Sequence, residues 1–329
     1  LVLIGHLLPV GPKAWRLNEA VAATGMVIFF ILSGFLIVTL LLKDGGVGDF
    51  LIRRFMRIVP LAWAAMALTL GLTAAAHTAY LPHLLFFANL IPGVLTPATA
   101  HLWSLCMEVQ FYLGIAILLA MFGRRALWGL PVLAISVTAW RINNQVPISI
   151  QSQYRLDEIL AGCILALGYR QRSTVVAAQS AGCDRGSWPR VRLRVAGVAR
   201  LAVIPPVVFL PLLLLCSHPA GGILNYVRPY VAMLMVGSSL FHDRGDAFAR
   251  LLRGNVLGYL ATTSFAVYVV HGCLAETWLA SGEKLTKYLK RPLLLAVTFG
   301  VGHLSTFVVE KRLIALGKQW TSTQLRRSL

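Results

Sequence analysis

The chain has 329 residues, of which 57% are hydrophobic and 13% charged, whereas soluble domains carry about 25% charged residues. That balance excludes an ordinary water-soluble core and predicts a polytopic membrane protein. The net charge of +18 raises nucleic acid as a partner. However, the basic residues lie in short loops between apolar stretches, with no basic-aromatic surface module, so the positive-inside rule accounts for them and no nucleic acid is expected. Five cysteines are scattered without a Cys-x-x-Cys pair, so neither a disulfide framework nor a metal site is expected.

Hydropathy predicts an all-α bundle of about ten spans, in one membrane-embedded domain over 1–329. The first, 1–11, is too short to cross a bilayer, which takes about 20 residues; it reads as the outer half of a helix whose start is missing. Spans follow at 21–42 and 59–79. Segment 81–100 is apolar but broken by Pro82, Pro92, Gly93 and Pro97, which predicts an interfacial or re-entrant stretch. Further spans are expected at 102–122, 126–141, 156–169, 199–217, 223–241, 255–275 and 292–309. The segment 170–200, rich in arginine, reads as a basic cytoplasmic loop. When successive loops are assigned to alternate sides, most of the lysines and arginines fall on one side. Both termini are therefore expected in the cytoplasm, with the chain among membrane lipids.

Polar residues inside these spans are candidates for chemistry, because a charged side chain at bilayer depth costs about 3 kcal/mol or more. Glu108, in Trp103-Ser-Leu-Cys-Met-Glu108-Val-Gln-Phe-Tyr112, is the most conspicuous. Ser104 and Glu108 are four apart and share a helix face. His101 shares it too, about 10 Å away along the axis. A histidine partner for Glu108 must then come from another helix, and His6 is the first choice. The plainer reading is that Glu108 and the histidines only bond helices together. Arg53, Arg54 and Arg57 precede Pro60, placed in the first turn of the third span; they are either anchors or a phosphate site. Arg155 and Asp157 open the sixth span, as an ion pair or as contacts to a polar acceptor. His271 is open between packing and acceptor binding. Trp103 and Tyr112 read as channel lining or as packing.

Together these motifs resemble the acyltransferase 3 family of integral membrane acyltransferases. The matching segments are His6, Phe29-Phe-Ile-Leu-Ser-Gly34, Arg53-Arg54-Phe-Met-Arg57, Trp103 to Tyr112, Arg155-Leu-Asp157, Ser264-Phe-Ala-Val-Tyr268-Val-Val-His271, and Val309-Glu310-Lys311. They lie in the family's order over nearly the whole chain. Departures are Val109, where a second acidic residue is usual, Val27, where an acidic residue is frequent, and Arg312 in place of proline.

The resemblance implies transfer of an acyl group, acetyl above all, from cytoplasmic acyl-coenzyme A to a hydroxyl of an extracytoplasmic carbohydrate or glycolipid. A thioester is already activated, so catalysis needs removal of a proton from the acceptor and stabilisation of an oxyanion. In this scheme Arg53, Arg54 and Arg57 receive the donor's phosphates, and His6, supported by Glu108, is the base. His101, Trp103, Ser104, Tyr112, Arg155, Asp157 and His271 line the acceptor site. A transporter or export partner for a lipid-linked saccharide or anionic solute is the alternative from another class; it would use the same buried polar groups without acyl transfer.

Overall fold

Helix lengths follow the apolar runs, and glycine stands at several of their ends, at Gly46, Gly123, Gly129 and Gly254. The computed structural model describes residues 1–43, 46–73, 75–180, 205–241 and 247–327, and among them there is no strand. Val2–Leu7 (α1) is a short helix that stops before Pro9, since proline continues a helix poorly. Its end is tied down by Asn18, whose Nδ2 donates to the carbonyls of Gly5 at 2.7 Å and Leu8 at 2.6 Å. Leu17–Leu42 (α2) follows, then Val47–Leu72 (α3). The third span therefore begins well before residue 59. Pro60 is not in its first turn but inside the helix, and Arg53, Arg54 and Arg57 are helical residues rather than loop residues. Apolar sequence on both sides carries the helix past the missing backbone donor.

The stretch after α3 is broken as its prolines predict. It holds Tyr80–Leu84 (α4) and single turns at His77–Ala79 and Ala88–Leu90. Trp63 Nε1 donates to the Leu84 carbonyl at 2.7 Å, and Gln110 Nε2 to the Phe86 carbonyl at 2.7 Å. A 3-10 turn, Ala100–Leu102, leads into Trp103–Phe122 (α5). Leu130–Asn143 (α6) and Leu156–Ser180 (α7) come next. The expected loop at 170–200 is thus helical up to Ser180; the rest of it lies outside the described residues, as does the start of the expected span 199–217. Phe209–Ser217 (α8), Leu224–Phe241 (α9), Ala247–Leu252 (α10) and Asn255–Ala275 (α11) follow. Lys284–Leu304 (α12) passes through a π-helical turn, Ser305–Glu310, into Lys311–Arg327 (α13), so the last expected span, 292–309, is the middle of a longer rod.

Five of these segments are long and apolar enough to cross a membrane: Leu17–Leu42, Val47–Leu72, Ala100–Phe122, Asn255–Ala275 and Leu285–Trp320. With the shorter apolar helices, they make this a multi-pass integral membrane protein. The bundle is centred on α2 and α7, its most extensive helix pair. They cross in backbone contact: a Cβ on Gly34 would lie 2.0 Å from the Ile159 carbonyl oxygen, and one on Gly162 would lie 2.1 Å from that of Ile31. Small residues are what allow helices to approach this closely in lipid. Phe30, Ile37, Met66, Leu102, Met107 and Leu160 fill the main core around this crossing.

Candidate active site

Histidines from three separate segments meet at one end of the bundle. His6, on α1, places its Nδ1 3.0 Å from Nε2 of His271 on α11. The two rings lie edge to edge, with centroids 5.3 Å apart and planes within 24° of each other. His101, in the turn before α5, lies edge-on to His271 at 4.7 Å, and its Nε2 donates to the Val269 carbonyl at 3.1 Å. Gly272 makes room for this ring, because a Cβ there would sit 2.0 Å from His101 Nδ1. His101 and His271 are buried, while His6 remains exposed. Among the described residues, no three His, Cys, Asp or Glu side chains are placed to share a metal ion.

Below the histidines, α5 and α11 are stitched together. The Tyr268 hydroxyl donates its proton to the His101 carbonyl, so Ser104 Oγ donates to Tyr268 at 2.6 Å. One turn further along α5 is Glu108, buried. Its partner is not His6, as the sequence led us to expect. Glu108 Oε1 accepts from Ser33 Oγ at 3.0 Å and from the Tyr112 hydroxyl. The physical reason is depth. Glu108 lies about 10 Å along α5 from His101, whereas His6 sits level with His271, which itself packs on His101.

Glu108 faces the arginine cluster instead. Arg54 and Arg57 are near enough to act on its charge. The Arg54 guanidinium lies 5.5 Å from the Tyr112 ring centroid and 5.7 Å from that of Phe50. Arg53 is half exposed, with Asp49 at 3.9 Å. Glu310, buried at the end of the π-helical turn, accepts from Thr306 at 3.3 Å and also feels Arg57. Polar groups thus run from His101 through Tyr268, Ser104, Glu108 and Tyr112 to Arg54, over roughly 16 Å of α5.

Arg155 and Asp157 are not an ion pair with each other. Asp157 accepts from Arg141 Nη1 of α6 and, at 3.1 Å, from Thr138. Arg155 Nε donates to Glu158 at 3.1 Å, and Arg228 of α9 binds the other Glu158 oxygen at 2.6 Å. Consecutive helical residues point about 100° apart, so Asp157 reaches α6 while Glu158 reaches α9. All five charged groups are buried. The Arg155 guanidinium also sits 4.5 Å over the ring of Trp103, which itself packs edge-on against Phe30. The network therefore buttresses the α5 face that carries Ser104 and Glu108.

A family model described as an acyltransferase domain matches residues 1–309. The chain belongs to the acyltransferase 3 family. No curated protein and no solved structure matches. The family makes the chain a membrane acyltransferase, and its motifs now have places. The segment around Ser33-Gly34 supplies both a bond to Glu108 and the crossing with α7. The segment ending at His271 supplies Tyr268, which sequence reasoning quoted but gave no role. Arg141, Glu158, Arg228 and Ser33 were also passed over. The signal for the two arginines was present, since each stands within an otherwise apolar stretch, where a charge marks function or a buried partner. Ser33 stood inside a family motif, yet a small polar residue in an apolar helix gives no sign of its partner.

Because α6, α7 and α9 share this network, removing one member leaves a charge buried without its partner. Arg228→Met in the acyltransferase is expected to destabilise by about 3 kcal/mol or more, since Glu158 then loses its shortest contact. A thermal melt of the purified protein, followed by the fraction that stays monodisperse, checks this. A midpoint equal to wild type would mean that the network contributes little.

Proposed function

We propose that this acyltransferase moves an acyl group, acetyl in the first instance, from acyl-coenzyme A to a hydroxyl of a carbohydrate or glycolipid on the far side of the membrane. The observation that carries the reading is the separation of two kinds of chemistry along one face of α5. Imidazoles gather at one end, and the guanidinium groups of Arg54 and Arg57 lie at the other, near Glu108 and Tyr112. The charge of the loops favours the arginine end as the cytoplasmic one, where thioester donors are made.

At the arginine end, Arg53, Arg54 and Arg57 fit the donor's phosphates, since guanidinium groups fork onto phosphate oxygens. An open pocket of about 390 Å³ lies beside α3 and α5, with Arg54, Val59, Val109 and Tyr112 in its wall, next to the place proposed for the phosphates. At the histidine end, His6 takes the proton of the acceptor hydroxyl as its oxygen forms a bond to the thioester carbonyl carbon. The C–S bond then breaks, and the leaving thiolate takes that proton from His6. Ser104, Tyr268 and His101 shape the place where the two substrates meet, and His271, Arg155 and Trp103 stand behind them. Glu108 holds Tyr112 and balances Arg54 and Arg57 at the donor end; it does not orient the base.

That division of labour separates two variants. Arg54→Ala with Arg57→Ala is expected to raise KM for acetyl-coenzyme A roughly tenfold or more, from lost charge-assisted bonds, with a smaller change in kcat. Glu108→Gln is expected to act on the same parameter, because it leaves two guanidinium groups without their counter-charge. Both are read from thiol release by purified protein in proteoliposomes. If Glu108→Gln instead lowers kcat alone and leaves donor KM untouched, the carboxylate serves the chemistry directly. The function as a whole is tested by mass spectrometry of cell-envelope glycans and glycolipids with and without the protein. No acyl difference, together with no thiol release, would overturn it.

A further inference from the structure

His6 and His271 form a pair whose protons are fixed by geometry. His271 Nδ1 lies 2.6 Å from the carbonyl oxygen of Tyr268. A carbonyl oxygen only accepts, so this nitrogen must carry the hydrogen. In a neutral imidazole the other nitrogen, Nε2, then bears the lone pair. That nitrogen is the one 3.0 Å from His6 Nδ1. The contact is a hydrogen bond only if His6 Nδ1 is the donor. The opposite arrangement would set a lone pair of His271 Nδ1 against the lone pairs of the Tyr268 carbonyl. With Nδ1 protonated, the basic nitrogen of His6 is Nε2. It has no protein partner among the described residues, and His6 is exposed.

We infer that His271 is a positioning residue that sets the tautomer of His6, so that Nε2 of His6 is the atom presented to the acceptor hydroxyl. This rests on the reading of His6 as the base and deepens it. Resemblance and motif order had put His271 against the acceptor; the hydrogen bonds put it behind His6 instead. The pair also works in the charged state. When His6 Nε2 takes a proton, Nδ1 still donates to His271, which disperses the imidazolium charge without any group having to turn. A second proton on His271 would place N–H against N–H, so only one member of the pair carries charge at a time. The groups that act electrostatically on the pair are its own two rings and His101. Tyr268 packs against His271 as well. The His101 proton is held separately, on Nε2, by the Val269 carbonyl. Two successive carbonyls of α11, those of residues 268 and 269, therefore fix two imidazoles.

Nitrogen NMR of the full chain in lipid, with 15N-labelled histidine and His6 assigned by comparison with His6→Gln, reads the tautomer directly. At alkaline pH, His6 should show a protonated Nδ1 and a bare Nε2. His271→Gln keeps an acceptor at the same reach and should preserve that pattern. His271→Phe removes the acceptor and should shift His6 toward the Nε2–H form that an unconstrained histidine side chain prefers. A wild-type His6 protonated on Nε2, or a pattern that His271→Phe leaves unchanged, overturns the inference whether or not any acyl transfer is observed. Activity adds a second readout, with acetyl-coenzyme A as donor and octyl glucoside as acceptor. His271→Phe should lower kcat about 100-fold with donor KM unchanged, and His271→Gln should restore most of it. His271→Glu places a carboxylate beside His6, and the acid limb of the kcat/KM profile should move to higher pH. Equal losses in all three variants with an unmoved limb would make His271 a packing residue only.

Discussion

Replacing His6 with alanine is expected to lower turnover by about three orders of magnitude, the span that a positioned base supplies. The protein should still insert and fold. α1 is anchored by the two bonds from Asn18 and by the close approach of Gly5 to Ala22 on α2, none of which involves the imidazole. His6 is exposed, so truncating it opens no core cavity. Donor KM should be unchanged within about threefold, because Arg54 and Arg57 lie two to three helical turns deeper. The measurement is single-turnover transfer from acetyl-coenzyme A by protein whose helix content and elution match wild type. Turnover within tenfold of wild type would remove His6 from the chemistry. Binding of donor with no thiol release in either protein would remove the enzyme reading itself.

Gly34→Val is expected to have the largest effect on the fold. The Cβ position at 34 is 2.0 Å from the Ile159 carbonyl oxygen, so valine cannot be accommodated by moving a side chain; two helix backbones must part. Overpacking of ordinary cores costs about 1–3 kcal/mol, and backbone-to-backbone contact belongs at or above the upper end. Separating α2 from α7 would also pull Ser33 from Glu108 and disturb the face carrying Asp157 and Glu158, so folding and donor binding should fail together. Gly168→Ala is the matched control, since nothing lies within 4 Å of its Cβ position and alanine favours helix by up to about 1 kcal/mol. Thermal midpoints of the two variants should fall on opposite sides of wild type. A Gly34→Val protein that melts with wild type would mean that α2 and α7 do not cross as described.

The helical class was legible because hydropathy is a local property; a run of apolar residues in lipid has few structures open to it besides helix. The broken stretch after α3 was legible for the same reason, through Pro82, Pro92 and Pro97. Helix starts were less so. The third helix was expected near residue 59 because three arginines looked like a loop, yet their long side chains leave a helix to reach charge elsewhere. Partners were least legible. Arg155, two residues before Asp157 in sequence, invited a pair, but Arg155 bonds Glu158 instead, and the 100° turn between Asp157 and Glu158 sends these two carboxylates to different helices.

What the sequence by itself determined is the lipid-embedded helical fold and the family, together with the set of polar residues that a membrane interior has to account for. Only the tertiary structure decided how those residues pair. His6 finds His271 across 265 positions, and Ser33 finds Glu108 across 75. Those meetings depend on the rotation and depth at which helices dock, which the notches at Gly34, Gly162 and Gly272 control. Such contacts leave no periodic trace in either segment alone, because the geometry that creates them belongs to the pair.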